Sequence, residues 1–147
     1  MSHPTTVRVE RRVAASPAAV YAYLTESERW ARWQGAAAEH EAVPGGRFCM
    51  TMGNGMRAEG SFLELVPDER VVFTWGWEGS ETLPPGSSTV EIELVPDGDG
   101  TLVRLTHRDL PAEEREVHAA GWRHYAPRLA LAAEGGDPGE DPGPAPG

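Results

Sequence analysis

The chain has 147 residues and contains no lysine. Its thirteen basic residues are all arginine, set against 23 Asp and Glu, for a formal net charge of -10. That absence excludes Schiff-base chemistry, which needs a lysine amine. The shortage of positive charge makes nucleic acid and anionic membrane surfaces poor partners. Four of the acids, Glu134, Asp137, Glu140 and Asp141, fall near the C-terminus, but the remainder is still acidic. The single cysteine, Cys49, cannot form an intrachain disulfide and suits a reducing compartment. No apolar run is long enough to span a bilayer, and the first residues carry no apolar signal core. A soluble, cytoplasmic protein without membrane insertion is therefore expected. Paired Cys, His one helical turn apart, a Ser-His-Asp signature, a phosphate loop and a Rossmann glycine set are also missing. Neither His3, His40, His107, His118 and His124 nor Cys49 shows metal-ligand spacing, so no metal and no cofactor are expected.

Aromatic residues make up only 7% of the chain, so their clustering is informative. Residues 70–77 read Arg-Val-Val-Phe-Thr-Trp-Gly-Trp, with Phe73, Trp75 and Trp77 on one face of a strand. Residues 118–122 read His-Ala-Ala-Gly-Trp; His118, Trp122, Tyr125, Leu129 and Ala132 recur at helical spacing. An aromatic strand and an aromatic helix in one small domain point to a sheet closing over a helix, with space between them.

The remaining pattern agrees with this arrangement. Val7, Val9 and Val13 alternate with charged residues on a first strand, where Arg11 falls anomalously on the apolar face. Ser16-Pro17 reads as a helix start. Thr25 and Glu28 have capping-box spacing and predict the start of a second short helix bearing Trp30 and Trp33. Strands follow through Phe48, Met50 and Met52, then over 57–66, 70–77, Val90–Leu94 and Thr101–His107. Short turns such as Gly53-Asn54-Gly55 and Asp97-Gly98-Asp99-Gly100 make them an antiparallel meander. Pro111, Glu113 and Glu114 open the last helix. One domain over 1–133 is expected, with a disordered Gly/Pro/acidic tail over 134–147.

The order and spacing of several stretches resemble one family. They are Glu10-Arg11 to Ala15-Ser16-Pro17 with Val20-Tyr21, Leu24-Thr25, Trp30 to Trp33, Gly45-Gly46-Arg47-Phe48, Glu69 to Trp75, Gly100-Thr101 to Leu105-Thr106-His107, and His118 to Gly121-Trp122. Over residues 7–133 the chain resembles the bacterial proteins related to the C-terminal domain of the Hsp90 ATPase activator. These sit within the START-like, Bet v 1-like (SRPBCC) superfamily. The resemblance implies an α+β helix-grip fold, in which a curved antiparallel sheet wraps a long C-terminal helix and two short helices follow the first strand. It also implies a hydrophobic cavity between sheet and helix; such proteins bind lipids, sterols, polyketides or other apolar molecules, and some are cyclases or hydrolases. Where the family usually has Leu four residues after the Gly-Trp tryptophan, this chain has Ala126, followed by Pro127. That pair predicts a kinked or shortened helix and extra space at its C-terminal end.

The expected ligand-binding residues are Trp33, Met50, Met52, Phe73, Trp75, His107, His118, Trp122, Tyr125 and Arg11. Each has a simpler alternative. Phe73, Met50 and Met52 serve equally as core, while Trp75 offers a flat apolar wall. His107 either meets a ligand carbonyl or a neighbouring backbone group. His118 and Tyr125 are polar groups on the helix stripe, and a Tyr hydroxyl could stabilise a developing oxyanion. Arg11 either clamps an anionic head group or forms a salt bridge. The expected function is binding of a small apolar or aromatic ligand. The alternatives are a cofactor-independent cyclase, dehydratase or hydrolase in the same cavity, and an interaction module for a chaperone or regulator. Association into a homodimer is left open.

Overall fold

The structure, a computed structural model, describes residues 5–141; His3 and residues 142–147 lie outside them. β1 (Thr5–Val13) buries Val7 and Val13. α1 (Pro17–Thr25) starts as read, with Ser16 Oγ accepting the Ala19 N–H at 3.2 Å. The second helix starts differently. α1 runs through Thr25, and Glu26 is the residue that precedes α2 (Ser27–Trp30). The Thr25 hydroxyl donates back to the Tyr21 carbonyl at 2.9 Å, so it is spent on the preceding turn and caps nothing.

A two-residue strand, β2 (Ala37–Ala38), precedes β3 (Arg47–Thr51), β4 (Arg57–Val66), β5 (Arg70–Trp75), β6 (Ser88–Asp97) and β7 (Gly100–Leu110). All neighbouring pairs are antiparallel, in the order β1-β7-β6-β5-β4-β3-β2. Strands adjacent in sequence are adjacent in space, as the short turns between β3 and β4, β4 and β5, and β6 and β7 require. β1 is the exception. It closes onto β7, so α1 and α2 carry the chain from one sheet edge to the other. The sheet curls into a half-barrel around α3 (Ala112–Ala133), which is the helix-grip α+β fold.

Register brings the inner-face residues together. Phe73 pairs with Val90 and Val90 with His107, while Trp75 pairs with Ser88. Since side chains alternate across a strand, Phe73, Trp75, Val90, Ser88 and His107 all face inward. Phe73 stacks on Phe48 with ring centroids 4.1 Å apart, and Trp30 meets both rings edge-on. Each such fully buried ring contributes about 1.5–3 kcal/mol relative to exposure. Gly60 and Gly76 allow close backbone approach on either side of this cluster. A Cβ at Gly60 would overlap the Thr74 carbonyl, and one at Gly76 the Pro84 carbonyl.

Two further expectations change. Pro127 lies on the exposed side of α3, and the helix continues past it to Ala133. The Arg123 carbonyl, which Pro127 leaves without an amide donor, belongs to an exposed residue on that side. The tail read as disordered also begins with ordered contacts. Gly135, at φ 93°, donates to the Ala132 carbonyl and Gly136 to that of Leu131. This is a Schellman motif, which ends the helix and reverses the chain. Arg128 then donates to the carbonyls of Pro138, Gly139 and Glu140. Residues 137–141 thus lie back along α3.

Candidate functional site

The aromatic strand and aromatic helix meet beside a cavity of about 1160 Å³, which both line. Trp75 and Trp77 from the end of β5 form one wall. Val117, His118, Gly121, Trp122 and Tyr125 from α3 adjoin it, with Trp122 packed against Trp75 at 5.4 Å between ring centroids. Met52, Asn54 and Met56 of the β3–β4 turn and Gln34 to Ala36 after α2 enclose the sides. Gly139, Glu140 and Asp141 of the reversed tail close one end.

The walls are held by two histidines whose tautomers follow from their neighbours. An indole N–H only donates. Nε2 of His118 receives Trp75 at 3.3 Å and Trp77 at 3.1 Å, so it must carry the lone pair. Its Nδ1 lies 2.8 Å from the Glu114 carbonyl and therefore bears the proton. Burial pushes the His118 imidazole below its ordinary range, partly offset by that carbonyl. His107 lies one layer deeper. Its Nδ1 accepts from Trp122 Nε1 at 2.9 Å, and its Nε2 donates to Ser88 Oγ at 2.7 Å. Ser88 in turn donates to the Trp75 carbonyl at 2.7 Å. Burial, followed by nearby His118, holds His107 well below the usual imidazole range. Both rings are thus neutral acceptors that fix the three indoles.

The closed end is equally specific. The Asp141 carboxylate, 3% exposed, accepts from the Gly35 N–H at 2.8 Å and from His124 Nε2 at 3.1 Å. Burial first and this carboxylate second raise the pKa of the Tyr125 hydroxyl, which also lies 3.9 Å from Met52 Sδ. Arg128 anchors the same corner through the Trp33 carbonyl at 3.0 Å.

Of the ten residues singled out in the sequence, Met52, Trp75, His118, Trp122 and Tyr125 line the cavity together. Trp33, Met50, Phe73, His107 and Arg11 do not. Met50 and Phe73 are fully buried in the core. Trp33 donates to the Tyr23 carbonyl at 3.0 Å, behind the cavity. His107 supports Trp122 from beneath. Arg11 is exposed although it occupies an inward strand position, because its charged end reaches water beyond the sheet edge. Ala126 and Arg11 border a separate void of only about 20 Å³, so the space expected beside Ala126 and Pro127 does not develop there. Gln34, Met56, Val117 and Asp141 escaped sequence reasoning. For Asp141 a signal existed: Gly135-Gly136 directly after an apolar helix is a chain-reversing cap. Among the described residues, no group of three His, Cys, Asp or Glu could hold a metal ion.

A family model described as Activator of Hsp90 ATPase homolog 1-like protein matches residues 14–134. The chain belongs to this AHSA1-like family. An AHSA1-like protein from Rhizobium etli is 48% identical, covers 97% of this chain with 89% of its own, and superposes with a TM-score of 0.75. A protein from Chromobacterium violaceum is 26% identical, with 88% of this chain and 96% of that one covered and a TM-score of 0.77. The Aha1 dimer from Colwellia psychrerythraea, at 18% identity, 88% and 96% coverage and a TM-score of 0.76, shows the AHSA1-like fold alone. The human Activator of 90 kDa heat shock protein ATPase homolog 1 is 28% identical over 120 residues. That stretch is 81% of this chain and 34% of the human protein, so the chain spans about a third of the length of this curated relative.

Proposed function

We propose that this AHSA1-like protein binds a small apolar or aromatic molecule between β5 and α3. The observation that carries the reading is the cavity of about 1160 Å³ walled by Trp75, Trp77, Trp122, Tyr125, Met52 and Met56. Indoles supply rigid flat surfaces, and methionines supply walls that adapt to the shape of a guest. Every wall comes from a single chain. A cytoplasmic location goes with this reading: Cys49 is a free buried thiol, and no helix among the described residues is long and apolar enough to cross a membrane.

Binding is favoured over catalysis because the two candidate acid–base side chains of the helix stripe, His118 and Tyr125, are already engaged. His118 shares its one lone pair between two indoles, and the Tyr125 hydroxyl lies against Asp141 and Met52 Sδ. A general base needs a free lone pair within reach of a substrate proton. Chaperone activation belongs to the human relative's name; here Met56 and Val117, both prominently exposed, flank the cavity and serve a guest's entry.

The test is a thermal-shift screen over fatty acids, flavonoids, polyketides and aromatic amines. A ligand at about a hundredfold its Kd stabilises by about 2.7 kcal/mol, which raises Tm by roughly 5–10 °C in a domain of this size. A screen that moves nothing, with no small molecule co-purifying by mass spectrometry, overturns the reading.

A further inference from the structure

The polar groups of the cavity are unevenly divided between donors and acceptors. All three indole N–H groups in its walls are consumed by histidines: Trp75 and Trp77 by His118, Trp122 by His107. The Tyr125 hydroxyl lies against Asp141 and Met52 Sδ, and the Gly35 N–H is taken by the Asp141 carboxylate. Apart from the side chains of Asn54 and Ser80, what the walls offer a guest is therefore the faces of the rings. The charged side chains lining the cavity are Glu114, Glu140 and Asp141; no arginine lines it. Arg128, the cation beside Tyr125, spends its guanidinium on four backbone carbonyls. Gln34 is 2% exposed and lines the cavity, and its side-chain oxygen has no hydrogen-bond partner among the described residues.

Resting on the binding function proposed above, we propose that the guest is an aromatic amine: a flat apolar body bearing an ammonium group. The body lies among Trp75, Trp122 and Tyr125. The ammonium takes the ring faces and the acidic lining of the cavity, with the Gln34 carbonyl accepting one of its hydrogens. Indole faces attract cations through the ring quadrupole, most strongly where water is excluded. A carboxylate meets the opposite conditions. It finds like charge at Glu114, Glu140 and Asp141 and loses its hydration without a cation to replace it. Fatty acids and other organic anions are therefore excluded, although the apolar walls suit their tails.

The test compares three guests that share one ring system: naphthylmethylamine, naphthylmethanol and naphthylacetate, titrated calorimetrically into the full chain at pH 7. The amine is expected to bind at least about tenfold tighter than the alcohol, and the acetate weakest. The Glu114→Gln/Glu140→Gln double variant should weaken the amine several-fold and leave the alcohol unchanged. It keeps side-chain size and leaves Asp141 in place, so the tail stays docked. Gln34→Leu gives a second readout and should weaken amine and alcohol while leaving methylnaphthalene unaffected. Equal binding of amine and alcohol, or preference for the acetate, overturns amine selection while leaving the cavity a binding site. Failure of all the guests, methylnaphthalene included, overturns both.

Discussion

Nε2 of His107 lies 2.7 Å from Oγ of Ser88, and this contact is the middle link of a chain that ties the long helix to the sheet. The chain of bonds runs from Trp122 on α3 through His107 on β7 and Ser88 on β6 to the Trp75 carbonyl on β5. Each member has one arrangement that satisfies its neighbours, so the indole of Trp122 is held against the sheet, packed on Trp75 with ring centroids 5.4 Å apart.

Ser88→Ala breaks that chain. The His107 Nε2–H loses its acceptor in a fully buried site, and the other tautomer would set an N–H against the Trp122 N–H. The expected loss is about 1–3 kcal/mol, read from urea denaturation. A variant as stable as the parent would show that the bond contributes nothing.

Stability should fall as the solution is acidified below neutrality. Burial holds His40 at about 4 and pushes His118 and His107 below their ordinary value. In the unfolded chain each titrates near 6.5. Between about pH 6.5 and 4 the unfolded chain takes up protons that the folded chain refuses, so stability is full above about pH 7 and is lost on descent. His40 alone accounts for on the order of 3 kcal/mol. Its Nε2 has no partner among the described residues, and its ring stacks on Phe48 with centroids 4.6 Å apart. His40→Phe should flatten the dependence. Chemical denaturation at intervals across this range measures it.

Gly76→Ala separates Trp75 from Trp77. The new methyl would overlap the Pro84 carbonyl, so the strand end must shift and the two indoles can no longer share His118. A cost of about 1–3 kcal/mol is expected from the overlap, together with altered tryptophan emission. Unchanged stability and emission would contradict the packing described.

Asp141→Ala releases the Gly35 amide. With its acceptor gone, that N–H should exchange with deuterium faster by an order of magnitude or more, while amides in β6 and β7 keep their rates. Arg128→Ala should do the same, because it frees the carbonyls of residues 138–140. Unaltered exchange at Gly35 would mean that the tail does not rest there.

Much of the fold was legible because its signals are local. The alternation of Val90, Ile92 and Leu94, the Gly-rich turns, Ser16-Pro17 and the stripe through His118, Trp122 and Tyr125 each depend on a few neighbouring residues. The helix-grip arrangement follows from them and from the family resemblance. The site was half legible. Trp75 and Trp122 announced themselves by size and spacing, but nothing in the sequence separates Phe73, which is core, from Trp75, which is wall. Both face inward, and only the curl of the sheet determines which of them α3 covers. Thr25 misled because the same hydroxyl can cap a following helix or bond back to a preceding one.

The sequence by itself determined an acidic, lysine-free α+β domain with an aromatic strand and an aromatic helix turned toward each other, because side-chain periodicity and turn chemistry act over a few residues. Tertiary structure alone decided that two histidines would take up the indole hydrogens, that Arg11 would reach solvent, and that Asp141 would return to close one end of the cavity. Those outcomes depend on distances between residues as many as 106 positions apart, such as Gly35 and Asp141. Such separations are set by how the sheet curls and where the helix ends; the Gly135-Gly136 cap signals that the chain reverses, but not that Asp141 meets Gly35.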